Sequence, residues 1–303
     1  MPLLRPFQQV DVFTATPLRG NPLAVVLDGQ GLSDAQMQAF AAWTQLSETT
    51  FVLPPTPEGR AAGADYRVRI FTPGGELPFA GHPTLGTAHA WLQAGGQPQS
   101  PEAVVQECGV GLVTLRRQAG RLAFAAPALR RATPEPARLA AVLQALGLQA
   151  EQVLAAQDLH NGPHWLGLLL TDVETVLALE PDHAALKRLG TKVGVAARRE
   201  VGAGVIRRAS REARAFAHTA DTTDLEVRGF AAPVGIPEDP VTGSLNASLA
   251  QWLIADGHLP GRYRARQGTV LGRAGEVFVE RDAQGQVWIG GDVVACIAGQ
   301  VQL

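Results

Sequence analysis

At 303 residues the chain is longer than one hydrophobic core usually organises, so two domains of ordinary size are expected. Its 26 lysines and arginines against 28 aspartates and glutamates leave a formal charge of −2, with no basic field to attract nucleic acid or anionic membrane, so the expected partner is a small molecule. No apolar run reaches bilayer length, the opening "MPLLRPFQQVDVF" lacks the organisation of a signal peptide, and Cys108 and Cys296 stand alone, which predicts a soluble cytoplasmic protein without disulfides or structural zinc.

In chain order the elements are written twice. "VDVFTATPLRGNPLAVVL" (10–27) has a counterpart in "VLAAQDLHNGPHWLGLLL" (153–170): a strand, a Gly/Pro/Asn turn and a second apolar strand. A helix follows each. The first is "SDAQMQAFAAWTQL", with Ser33 as N-cap and Gln36 placed to close a capping box; the second is "PDHAALKRLG", stopped by Gly190. The alternating strand "DYRVRIFTP" (65–73) matches "DLEVRGFAAP" (224–233). Next come "AGHPTLGTA" and "TGSLNASLA", which align Gly81 with Gly243 and open two helices that are apolar nearly all round, as for a helix wrapped by sheet. Hairpin signatures close each half, in "QECGVGLVTLRRQAGRLAFAA" and "QGTVLGRAGEVFVERDAQGQVWIGG". The fold class expected is α+β, with two pseudo-symmetric domains over residues 1–127 and 128–290, each a mostly antiparallel, barrel-like sheet around a central apolar helix. Residues 291–303 form a tail strand beyond the repeat, able to cross back to the first domain.

Helix N-termini carry unpaired amide donors and the positive end of the macrodipole, which suits a carboxylate or phosphate. At the first start Pro83 fits position N1, His82 falls at or beside the N-cap, and Gly81 lets backbone approach a ligand. At the second, "PEDPVTGSLN" supplies Asp239, Thr242, Gly243 and Ser244. Each polar residue of that set is also an ordinary cap. Two such starts at equivalent places are more simply explained by one ligand held between them.

A group that moves protons is found in "QLSETTFVLPP", where Glu48 lies between a helix and a strand whose residues should be buried. Desolvation there would raise its pKa, as a group that takes and returns a proton requires. The corresponding "TKVGVAARRE" has no acid before its strand, so Glu48 would be a single base.

With "GNPLAVV" at Gly20, "LSETTFV" at Leu46, "FTPGGELPFAGHPTLGTA" at Phe71, "EDPVTGSLNASLA" at Glu238 and "QGTVLGRAGEV" at Gln267, the chain resembles the phenazine-biosynthesis isomerase-like family along essentially its whole length. That resemblance implies the diaminopimelate epimerase-like fold, a homodimer, and no metal, nucleotide or flavin. It also implies that the residue matching Glu48 is the acid/base and that those matching His82, Asp239 and Ser244 surround the substrate. In diaminopimelate epimerase two cysteines stand where this chain has Ala80 and Thr242, so a two-thiol mechanism is excluded.

The leading expectation is an isomerase that shifts a proton within a small carboxylate-bearing, possibly cyclic, metabolite, with Glu48, His82 and Asp239 as catalytic residues. Gly81, Thr242, Gly243, Ser244 and Asn21 are the expected substrate-binding residues. The alternatives are an epimerase or racemase of an amino-acid-like substrate, using Glu48 with His82 or Asp239 on opposite faces, and a non-catalytic metabolite-binding protein. His160 and His164 have metal-like spacing, but Gly162 and Pro163 break the helix that would align them. His89, Trp91 and Trp252 read as core or interface residues, with the two tryptophans filling the two cores.

Overall fold

A computed structural model describes residues 3–118, 120–199 and 223–303; Glu200, at the end of "TKVGVAARRE", lies outside them. The first half of the chain contains β1 Leu4–Val12, β2 Asn21–Val26, α1 Asp34–Thr44, β3 Thr49–Leu53, α2 Pro57–Ala61, β4 Tyr66–Thr72, β5 Gly75–Leu77, α3 Gly81–Gln93, β6 Ala103–Cys108, β7 Gly111–Gln118 and β8 Arg121–Ala125. The second contains β9 Arg130–Ala132, α4 Pro136–Leu146, β10 Val153–His160, β11 His164–Leu170, α5 Val173–Ala178, α6 His183–Leu189, β12 Val193–Arg198, β13 Leu225–Ala231, β14 Ile236–Asp239, α7 Gly243–Ala255, β15 Arg262–Gln267, β16 Gly275–Arg281, β17 Val287–Gly291 and β18 Val293–Gln302. Among the described residues no helix is long and apolar enough to cross a membrane.

Strand pairing follows one scheme in both halves. β1–β2 is antiparallel, β2–β3 parallel, β3–β4 antiparallel and β4–β6 parallel; β10–β11, β11–β12, β12–β13 and β13–β15 repeat that series. The halves are joined by β8 pairing with β17, Phe124 opposite Ile289. A strand also crosses back, with β18 running antiparallel along β1 from Leu4↔Gln302 to Val12↔Val293, while β9 pairs with β10.

Each half is layered. The inner sheet faces wrap α3 and α7, whose small residues leave little exposed side: Leu85, Ala88, Leu245, Leu249 and Ala250 are all fully buried. One continuous core runs through both halves, from Val10 and Leu23 through Phe124 to Trp252 and Ile289. Trp252 sits at 1% exposure within it, whereas Trp91 is half-buried at the rim, its ring 5.1 Å from Tyr66. On the outer faces, α1 covers β2 and β3 through Met37, Phe40 and Phe51, and α4, α5 and α6 cover β11 to β13. The capping box at Ser33 and Gln36 forms, and Gln45 ends α1 in the left-handed region at φ 56°.

The pairing corrects how the two hairpins align. Read without a gap, the repeated segments set Leu23 against Leu166. In the structure Val10 pairs with Leu23 and Leu159 with Trp165, and these four side chains share the central core, so Trp165 takes the place of Leu23. A one-residue slip in a strand exchanges its two faces, so Leu166 turns to the outer cluster instead. The difference arises in the turns. The first hairpin runs from Val12 to Asn21 through residues 13–20, which dock on the other half: Glu276 donates its backbone N–H to Phe13 O, and Ala274 to Arg19 O. The second hairpin turns within residues 161–163.

Candidate active site

Helix α3 begins two residues earlier than its proline suggested. Ala80 is the N-cap and Gly81 the first helical residue, so His82 is second and Pro83 third. Pro83 still falls within the first turn, where its missing N–H needs no partner. α7 begins in the same way after Thr242, with Gly243 first and Ser244 second. The two starts abut: a Cβ on Gly81 would stand 3.1 Å from Gly243 Cα, and one on Gly243 3.0 Å from Gly81 Cα. These glycines serve the packing of the two starts. Their missing side chains let the two backbones meet, bringing two positive helix ends to one place.

Glu48 lies in the connection between α1 and β3. Thr44 Oγ1 donates to Ala41 O at 2.9 Å and contacts Thr49 Oγ1 at 3.0 Å, which pins the connection on both sides of Glu48. Below it, Thr87 of α3 donates to Thr50 of β3 at 2.8 Å. The carboxylate thus reaches over the start of α3, with Oε2 3.4 Å from His82 Nε2. That is longer than a formed hydrogen bond, and neither atom has another partner. Burial pushes Glu48 up to about 8, with the charge of Asp239 adding to it, and burial pushes His82 down to about 3. Both groups are therefore held neutral at pH 7.

Asp239 and Asn21 complete the cluster from either half. Asn21, fully buried, donates through Nδ2 to Asp239 Oδ1 at 3.0 Å and to Val241 O at 2.9 Å, and the same nitrogen faces His82 Nδ1 at 3.5 Å. Both N–H groups of that nitrogen are thereby used, so the contact places the His82 ring without fixing its tautomer. Burial raises Asp239 to about 6 against the lowering effect of hydrogen bonds from Thr242 and Asn21. Glu48, His82, Asn21 and Asp239 thus form one connected group, drawn from β2, α3, the connection before β3 and the end of β14.

Thr242 and Ser244 both have partners within the protein. The Thr242 hydroxyl donates to Asp239 Oδ2 at 2.6 Å and accepts from Gln267 Nε2 at 3.0 Å, so it holds Asp239. Ser244 accepts from the Trp165 indole at 3.3 Å, and its backbone carbonyl accepts from Asn161 Nδ2 at 3.0 Å. His160 and His164 stack on each other, ring centroids 3.8 Å apart. A cavity of about 430 Å³ lies elsewhere, lined by Arg116, Arg121, Phe278 and Trp288. Arg116 and Arg121 stack on those rings and pair with Asp282 and Asp292, and Arg262 and Arg264 also line it.

Residues 10–299 match the family described as Phenazine biosynthesis-like protein. The chain belongs to that family. It is 33% identical to trans-2,3-dihydro-3-hydroxyanthranilate isomerase of Pseudomonas aeruginosa, over 97% of this chain and 98% of that one. It is 32% identical to Antisense-enhancing sequence 1 of Schizosaccharomyces pombe, over 97% of both. The crystal structure of a PhzF-family phenazine biosynthesis protein from Bacillus anthracis shares its fold, with a TM-score of 0.81 over 99% of this chain and 100% of that one at 20% identity. With isomerases of this family matched along its length, the chain is an isomerase.

Several supports of this phenazine-biosynthesis-like site lie outside the residues chosen from sequence. Gln267, fully buried, donates to Asp239 O and Thr242 Oγ1 and accepts from Thr242 N and Asn246 Nδ2, which uses its whole amide. Arg228 grips Glu238 at 3.0 and 2.9 Å and donates to the carbonyls of Val176 and Leu179. Gln267 opens a quoted motif, and Glu238 opens another. Their partners Asp239, Thr242 and Arg228 stand in quoted segments as well, but nothing local to the sequence pairs them.

Proposed function

We propose that this isomerase moves a proton from one carbon to another within a small carboxylate-bearing metabolite held against the abutting starts of α3 and α7. Glu48 is the single acid/base. The observation that carries this reading is the Glu48–His82 pair, a carboxyl pushed up to about 8 and facing a neutral imidazole with no hydrogen bond formed between them. A carboxyl tuned close to neutral pH is both a competent base and a competent acid, which a proton shift needs in succession.

In the forward step the ionised carboxylate of Glu48 removes a proton from a substrate C–H. The electron pair moves into the adjacent unsaturated system, and the same carboxyl returns the proton to the carbon where the pair arrives. Nothing is oxidised or reduced and no group leaves. His82 Nε2 and the carboxylate of Asp239 bracket the substrate's polar groups, and the two helix ends draw its carboxylate toward them. The relative from Pseudomonas aeruginosa, named for trans-2,3-dihydro-3-hydroxyanthranilate, supplies the compound to test first. Conversion followed by NMR should show a carbon-bound proton relocated in the wild type and no conversion in Glu48→Gln; inversion at one carbon without relocation would favour the epimerase reading.

A further inference from the structure

Strand register identifies the residue that stands where Glu48 would be in the second half. In the first half Thr49 opens β3, opposite Phe71 of β4 and beside Ala24 of β2. In the second half Val193 opens β12, opposite Phe230 of β13 and beside Leu166 of β11. Phe71 and Phe230 occupy the same place in the repeat, since Ile70↔Leu77 and Gly229↔Asp239 are the corresponding pairs leading to α3 and α7. The residue before Thr49 is Glu48; the residue before Val193 is Lys192. His82 and Ser244 are likewise the second residues of α3 and α7.

The surroundings of Lys192 fit an anion site. Its ammonium lies 5.0 Å from the centroid of the Trp165 ring, and that ring's N–H is bonded to Ser244 Oγ, so one indole separates the cation from the helix start. Lys192 is half-buried, and among the described residues it has no carboxylate partner. A cation withdrawn from water without a counter-charge is costly, and a bound anion removes that cost. α7 is a 13-residue helix whose N-cap offers no side-chain hydrogen bond to the first amides. Beside it Asn161, only 6% exposed, holds Ser244 O through Nδ2 and, among the described residues, leaves Oδ1 without a partner, an acceptor for a donor group on the ligand rather than for its carboxylate.

We infer that Lys192 is the cationic anchor for the substrate's carboxylate, acting with Ser244 and the first amides of α7. The two halves then divide the work. The same position holds a proton carrier in one half and a charge anchor in the other, so the substrate has one orientation in a pseudo-symmetric cleft. This assignment rests on the reading of the cleft as a carboxylate site, and it makes Lys192 a residue that selects for anionic substrates.

The test is calorimetric titration with 2-aminobenzoate and with aniline, the same ring without its carboxylate. Wild type should bind 2-aminobenzoate more tightly than aniline. Lys192→Gln should weaken 2-aminobenzoate binding by about ten- to a hundred-fold, the loss of one charge-assisted hydrogen bond, and leave aniline unchanged. Lys192→Arg should retain most of the carboxylate preference. Glu48→Gln, which removes the proposed base but leaves the anchor, should still bind 2-aminobenzoate, separating failure of the anchor from failure of the acid/base assignment. Lys192→Gln binding 2-aminobenzoate as wild type does, or wild type showing no preference for the carboxylate, overturns the assignment.

Discussion

Glu48 Oε2 and His82 Nε2 face each other at 3.4 Å at the start of α3, and neither has a hydrogen-bond partner. Burial drives the two groups in opposite directions, the carboxyl up to about 8 and the imidazole down to about 3, so that each favours its neutral form. A salt bridge would have locked the pair. Its absence leaves a carboxyl free to take a proton from a ligand that enters beside it.

Stability should carry the signature of that carboxyl. Between its ordinary value of 4.5 and its folded value of about 8, the folded protein keeps a proton that the unfolded chain has lost. Stability from this group is therefore fully present below about 4.5, falls as pH rises through that window, and is level above it. Glu48→Gln should melt close to wild type at pH 5 and a few degrees higher at pH 9, read by scanning calorimetry. A difference that does not change with pH would show that Glu48 is not held protonated.

Asp239 contributes to the same effect from the other half of the chain. After burial, its charge is the second cause raising Glu48. If the ionised form of Glu48 begins the reaction, kcat/KM rises with pH toward a plateau above about 8. Asp239→Asn removes the charge, so the midpoint of that rise should move to lower pH whatever happens to the maximal rate. An unmoved midpoint would detach Asp239 from the acid/base group.

The sequence made much of this cluster legible because its members sit at chemically marked places: Glu48 before a buried strand, His82 at a Gly–Pro helix start, Asp239 in a turn-rich run matched to that start. The duplication was readable for the same reason, since "AGHPTLGTA" and "TGSLNASLA" carry their spacing in local sequence. What pairing between distant strands decides was not readable. Residues 13–20 look like an ordinary turn until they are seen docked on residues 272–276, and only β-sheet register places Trp165 where Leu23 stands. The hold of Thr242 on Asp239 was not readable either, because the hydroxyl's second partner, Gln267, is remote in sequence.

Gly243→Ala tests the contact between the helix starts. Its Cβ would meet Gly81 Cα at 3.0 Å and His82 N at 3.3 Å, both backbone atoms with no rotamer to escape into. The expected cost is about 1–3 kcal/mol by chemical denaturation, together with lower turnover because His82 moves with its helix. Unchanged stability would mean that the two starts are not in contact.

Arg228→Met should destabilise by about 3–5 kcal/mol, since it strands Glu238 in a pocket where the two side chains are 3% and 8% exposed. Replacing Glu238 by leucine as well should recover part of that loss, because no lone buried charge then remains. If the double variant is no more stable than the single one, the pair is not an isolated buried ion pair.

The central claim is that one carboxyl moves the proton, and it is tested most directly by comparing wild type with Glu48→Gln on trans-2,3-dihydro-3-hydroxyanthranilate, following conversion by NMR in water and in deuterium oxide. The prediction is that wild type relocates a carbon-bound proton, while the folded Glu48→Gln protein shows turnover and solvent exchange reduced by at least about a hundred-fold. A variant that folds and turns over within a few-fold of wild type would contradict it.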